Sequence, residues 1–113
     1  MDVWLRLHEG DFHRLIEKLP GRTLLLFSQP GCAACRRAEA RLPEWLVGAV
    51  QQYVKVDAQE QAALTREFEV FHLPALHLFV DGRYHAPVLC ELAAAAVQAA
   101  LGQAVAGPAV EAP

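Results

Sequence analysis

The chain has 113 residues, 54% of them hydrophobic, which is enough for one domain with a buried core and too short for two of ordinary size. Its 10 Lys and Arg against 13 Asp and Glu leave a net charge of -3, which excludes the broad basic field that nucleic acid or an anionic membrane surface would require. Three cysteines, an odd number in a small chain, exclude a disulfide scaffold.

The opening stretch, MDVWLRLHEGDFHRL, places Asp2, Arg6, Glu9 and Asp11 where a secretory leader needs an apolar run, so a cytoplasmic protein is expected. Val3 to Leu7 reads as a short strand. Asp11 is a candidate N-cap, and Phe12, Leu15, Ile16 and Leu19 follow at helical spacing until Pro20-Gly21 ends the pattern. Thr23 to Phe27, TLLLF, is an unbroken apolar run between turn residues, the pattern of a strand buried on both faces. A helix is predicted from near Cys32, with Cys35, Ala38 and Leu42 on one side; Pro43 either kinks it or opens a second short helix containing Trp45, Leu46 and Val50. Tyr53 to Val56 predicts a strand ending at Asp57, and Gln59 to Phe68 a helix with Leu64 and Phe68 one turn apart.

After His72-Leu73-Pro74 comes the strand Ala75 to Val80, an Asp81-Gly82 hairpin signal and the strand Arg83 to Val88. An Ala-rich helix is expected from Glu91 to Leu101, stopped by Gly102, so residues 1–102 make the domain and 103–113 a disordered tail. The uncharged run Leu92 to Val110 is long enough to span a bilayer, but its Ala content and its Gln98, Gly102, Gln103, Gly107 and Pro108 argue against insertion. The order is βαβαβαββα. Early alternation implies parallel crossovers, and the hairpin adds an antiparallel edge: an α/β fold, with a mixed sheet covered by helices on both faces.

In such a sheet, sites form at the carboxyl end of a central strand. Here the stretch SQPGCAACRR follows TLLLF at once, placing Cys32 and Cys35 at a helix start. Unpaired N–H groups and the helix dipole there favour a thiolate on Cys32, and only the thiolate is nucleophilic. Cys35, one turn on, lies on the same side and deeper, so Cys32 can attack a disulfide and Cys35 can resolve the mixed disulfide. Two rival readings stay open: half of a zinc site, for which only Cys90 and scattered histidines remain as further ligands, and a noncatalytic binding module.

Over nearly its full length the chain resembles the thioredoxin family. The features that carry the likeness are VWLRLHEGDF at the start, the buried strand before CAAC, Val56-Asp57 closing the middle strand, and HLPALHLFVDG. The resemblance implies a three-layer thioredoxin-like fold, thiol–disulfide exchange on protein or small disulfides, a monomer with no bound cofactor, and a reductase or glutathione that recycles the pair. It implies that Pro74 is a cis-proline beside the cysteines and that Gly31, Leu73 and Pro74 form the substrate platform.

Several residues depart from the family's pattern. Gly31 stands where Trp is common, Ala33-Ala34 where Gly-Pro is common, Leu26 in place of the buried aspartate and Tyr53 in place of its lysine partner. Cys90 falls where the family keeps a glycine. It reads either as a small buried residue or as a candidate third redox thiol. His77, mid-strand, reads as a core histidine, with a role as substitute proton acceptor for the lost carboxylate as the sharper alternative. His8, His13, His72 and His85 read as surface or loop residues, His72 close enough to Pro74 to meet substrate. Trp4 and Trp45 read as core anchors, and Arg36, Arg37 and Arg41 as a solvated helix face.

Overall fold

The computed structural model describes residues 2–113. Its elements are β1 (Trp4–Arg6), α1 (Phe12–Ile16), β2 (Arg22–Ser28), α2 (Ala33–Trp45), β3 (Gln52–Asp57), α3 (Ala62–Glu67), β4 (Ala75–Val80), β5 (Arg83–Pro87) and α4 (Ala94–Ala106). The five strands form one sheet in the order β1-β3-β2-β4-β5. β1 and β2 run parallel to β3, while β4 runs antiparallel to both β2 and β5. The mixed sheet with helices on both faces is the architecture the element order predicts.

Burial along β2 explains its central place: Thr23 to Ser28 are all buried, so neither face of the strand meets solvent. Its even and odd residues feed different cores. Leu24 and Leu26 pack with Leu76 and Leu78 of β4, with Ala38 and Leu42 of α2, and with Val97 and Leu101 of α4. Leu25 and Phe27 pack with Val54 and Val56 of β3, Phe12 and Ile16 of α1, and Leu64 of α3. A slip of one residue would exchange the two sets, so the register is strongly specified. Gly82, at φ 80°, closes the β4–β5 hairpin against α1, where a Cβ would overlap the Glu17 carbonyl.

Helices α2, α3 and α4 depart from expectation. α2 does not break at Pro43. Proline removes the N–H that would bond the carbonyl four residues back, at Glu39; the indole Nε1–H of Trp4 donates to that carbonyl instead, at 2.8 Å. α3 starts at Ala62 rather than Gln59, because the Asp57 carboxylate accepts the N–H groups of Gln59 and Glu60, both at 2.9 Å, and holds them in a turn. α4 begins at Ala94 and passes through Gly102 to Ala106. A single internal glycine costs a helix only about 1 kcal/mol relative to alanine.

The end of α4 is also tied down. His85 is a half-buried strand residue, not a surface histidine, and its Nε2–H donates towards the carbonyls of Ala104 (2.9 Å) and Gly107 (3.0 Å). Further on, the Val110 N–H donates to the His85 carbonyl at 2.7 Å. Residues 103–106, expected in a disordered tail, instead complete α4, and Val110 beyond it is bonded to β5.

Candidate active site

β2 delivers the chain to the site. After Ser28, Gln29 and Pro30 are exposed, and Gly31 takes φ 84° with open space where a Cβ would sit, so glycine is needed there for its backbone conformation rather than for room. Cys32 is the N-cap of α2, with extended backbone (φ -92°, ψ 107°), and its Sγ accepts the Cys35 N–H at 3.1 Å. The two sulfurs form a disulfide, with their Cα atoms 5.2 Å apart. Cys32 is half-buried, whereas Cys35 is 1% exposed. In the dithiol state that N–H and the free end of the helix stabilise a negative sulfur at position 32. An incoming disulfide can reach Cys32 and cannot reach Cys35.

The antiparallel register sets Ala75 opposite Phe27, so Pro74 stands level with Ser28, where the cysteine loop leaves β2. The Leu73–Pro74 peptide bond is cis, and both residues are half-buried. Pro74, His72 and Cys90 line a groove of about 560 Å³, together with Phe71 (85% exposed) and Leu89 (82% exposed). Neither Cys32 nor Cys35 is among that groove's lining residues.

Cys90 is a free, exposed thiol rather than a small buried residue. Desolvation within the groove still pushes its thiol above the usual range, which keeps it protonated and slow near neutrality. Among the described residues, no group of three or more His, Cys, Asp and Glu converges as a metal site would require.

Leu26 is fully buried among Leu24, Ala38 and Leu42, so hydrocarbon fills the place of the family's carboxylate. Tyr53 packs edge-on against Trp4 at 5.3 Å, and burial pushes its phenol up. His77 does not replace that carboxylate. It lies on the opposite face, packed against Phe27 (6.0 Å) and Phe68 (5.3 Å), with Nδ1 sharing a hydrogen bond with Tyr84 Oη at 2.8 Å. Burial pushes His77 down to about 4 and Tyr84 up to about 12, so both are neutral near pH 7. Arg36, Arg37 and Arg41 are exposed; Arg37 lies over the Trp45 ring at 5.7 Å and Arg41 pairs with Glu44 at 3.2 Å.

One arrangement was missing from the sequence reading. Cys35 lines a polar pocket of about 130 Å³ with Arg6, Ser28, Glu39, Lys55 and Asp57. Ser28 Oγ–H donates to Glu39 Oε1 at 3.2 Å, and Lys55 Nζ stands 3.4 Å from the same oxygen and 3.7 Å from Asp2 Oδ2. The Lys55 side chain is only 14% exposed. Glu39 lies one helical turn beyond Cys35, a spacing visible in the sequence. That Lys55 and Ser28 meet it follows only from the strand register.

Fold and site together define an α/β protein with an accessible and a buried cysteine paired at a helix start. The family model for thioredoxin matches residues 3–103, and the chain belongs to the thioredoxin family. Among solved structures, a mutant thioredoxin from Halobacterium salinarum is 20% identical with a TM-score of 0.72, the match covering 99% of this chain and 96% of that one. A chain from a study of the thiol resolving mechanism in yeast mitochondrial 1-Cys peroxiredoxin via glutathione/thioredoxin systems is 21% identical with a TM-score of 0.70, covering 87% of this chain and 92% of that one. These two likenesses are of fold. No curated protein matches the chain. The family, the fold and the Cys32–Cys35 pair support thiol–disulfide oxidoreductase chemistry in general.

Proposed function

We propose that this protein exchanges its Cys32–Cys35 dithiol with disulfides of protein or small-molecule substrates. The observation that carries the reading is the asymmetry of the pair: Cys32 half-buried at the N-cap of α2, Cys35 buried one turn behind it, the two already joined. In the reducing direction the Cys32 thiolate attacks a substrate disulfide and expels one substrate sulfur. Cys35 then attacks the mixed disulfide, forms the internal disulfide and frees the second substrate sulfur. Two electrons pass to substrate, and a reductase or glutathione in a reducing cytoplasm restores the dithiol. Gly31, Leu73 and Pro74 provide the backbone platform beside Cys32. Among the described residues, no helix is long and apolar enough to cross a membrane.

The test is reduction of insulin disulfides by dithiothreitol, comparing wild type with Cys32→Ser. Loss of catalysed turnover in the variant is expected. Equal rates for the two proteins would leave the noncatalytic binding module as the reading, with substrate-like partners held in the same groove and never reduced.

A further inference from the structure

Resolution of a mixed disulfide requires Cys35 to lose its proton while buried, and Leu26 offers it no base. The polar pocket supplies one from another direction. Lys55 pairs with Leu26 in the β2–β3 register, so its side chain rises on the same sheet face, beside the place where a carboxylate is missing. One step along, Ser28 pairs with Asp57 on that face. α2 crosses above and sets Glu39 one turn beyond Cys35.

Glu39 is fixed from three sides: Ser28 Oγ–H and Lys55 Nζ at its carboxylate, and the Trp4 indole at its backbone carbonyl. The charged groups facing this carboxylate are Arg6 from β1, Lys55 and Asp57 from β3 and Arg36 from α2, with Asp2 on the far side of Lys55. Cys35 and Glu39 line the same pocket, which at about 130 Å³ is large enough to hold water.

We propose that Glu39, held by Lys55 and Ser28, is the base that takes the Cys35 proton when the mixed disulfide is resolved. The proposal rests on the thiol–disulfide exchange reading above. In the step, the Cys35 S–H bond breaks and the proton passes to Glu39 through pocket water. The Cys35 electron pair forms the bond to Cys32 Sγ. The Cys32–substrate S–S bond breaks, and the substrate sulfur leaves with that pair. Glu39 then returns the proton to solvent or to the departing thiolate, so no further oxidant or reductant is consumed.

The experiment mixes an aryl disulfide that liberates coloured nitrothiobenzoate with the reduced protein, in which Cys90→Ser, carried by the wild-type reference and by every variant, removes the exposed third thiol. Attack by Cys32 releases a first equivalent and attack by Cys35 a second. In Glu39→Gln, the second release is expected to slow by about tenfold or more at neutral pH and to reach half its maximal rate only at higher pH, as loss of a general base demands. The first release should stay within about twofold of wild type. Glu39→Asp should recover part of the second release and of the pH profile, which a merely structural role would not do. Glu39→Ala, measured with and without added formate, serves if the glutamine variant does not fold, and formate-dependent recovery is expected. A second release that keeps its wild-type rate and pH profile in Glu39→Gln overturns the proposal. So does a Glu39→Ala variant that formate leaves unchanged. If wild type itself shows no second release, Cys35 is not the resolving thiol and the exchange reading fails with the proposal; that outcome is distinct because no variant is needed to see it.

Discussion

The two faces of the sheet bury their residues with different chemistry. Towards α1 and α3 the core is aromatic, with Phe68 in contact with Phe12 at 5.6 Å, Phe27 at 5.5 Å and Phe79 at 6.3 Å. Its one titratable pair, His77 with Tyr84, is held neutral. Towards α2 and α4 the core is aliphatic, but at the cysteine end it gives way to a polar pocket where Lys55 Nζ stands 3.4 Å from Glu39 Oε1. A dry aromatic face can stabilise the fold and do little else. A face that keeps charge near a buried thiol can move protons. If Glu39 is the base proposed above, one side of the sheet carries stability and the other the proton transfer.

The largest effect should come from the aromatic side. Phe12 is fully buried and touches Phe68 and Phe79 edge-on. Phe12→Ala should cost about 3–5 kcal/mol, read as a lowered urea midpoint with an unchanged slope. The fraction still folded should release both equivalents of nitrothiobenzoate at wild-type rates. A variant that lost the second release while folded would break the division between the faces.

Acid should act on the same side. The His77 pKa falls from 6.5 in the unfolded chain to about 4 in the fold, because burial disfavours the imidazolium. Between those values the unfolded chain binds more protons. The stabilisation is therefore complete above pH 6.5 and is lost as pH falls towards 4. At about 1.4 kcal/mol per unit the full loss is on the order of 3 kcal/mol. Urea midpoints at pH 7 and pH 4.5 should separate more for wild type than for His77→Leu; parallel shifts would show that another group carries the acid sensitivity.

A smaller effect is expected where the two functions touch. Trp4→Phe keeps the ring against Tyr53 but orphans the Glu39 carbonyl that Pro43 has already left without its helical partner. A cost of about 1–2 kcal/mol follows from the unpaired acceptor. The second thiolate release should also slow several-fold, because Glu39 loses one of its three anchors, while the first release should not change.

Much of the architecture was legible because local signals agreed with the global fold. TLLLF reads as a doubly buried strand, Asp81-Gly82 as a hairpin, and CAAC after that strand as a helix start at the sheet's carboxyl end, and all three are found. What failed did so where a partner distant in sequence decided the outcome. Pro43 reads as a helix breaker until Trp4, 35 residues before Glu39, supplies the missing donor to the Glu39 carbonyl. Gly102 reads as a stop until His85 draws the helix past it. His77 resembles a stand-in base until the parity of β4 puts it on the face away from Cys35. Nothing singles out Glu39 and Lys55 in the sequence, because spacing alone does not show that the β2–β3 register brings Lys55 beneath α2. Periodicity reports which way a residue points along its own element, and a site assembled from three elements is set by their registers.

The smallest predicted effect tests whether the aromatic face is as dry as its composition suggests. Thr23 has odd parity on β2, the parity of Leu25 and Phe27, and is fully buried between Gln52 of β3 and Phe79 of β4. Its Oγ1 finds no hydrogen-bond partner among the described residues. A buried hydroxyl without a partner costs its desolvation and returns nothing, and valine keeps the branched shape that the strand prefers. Thr23→Val should therefore raise stability, by up to about 1 kcal/mol, measured as a higher urea midpoint at unchanged slope. A loss of similar size would mean that the hydroxyl is satisfied by a water inside that core. The aromatic face would then hold polar structure of its own, and the contrast with the Lys55–Glu39 pocket would be one of charge rather than of dryness.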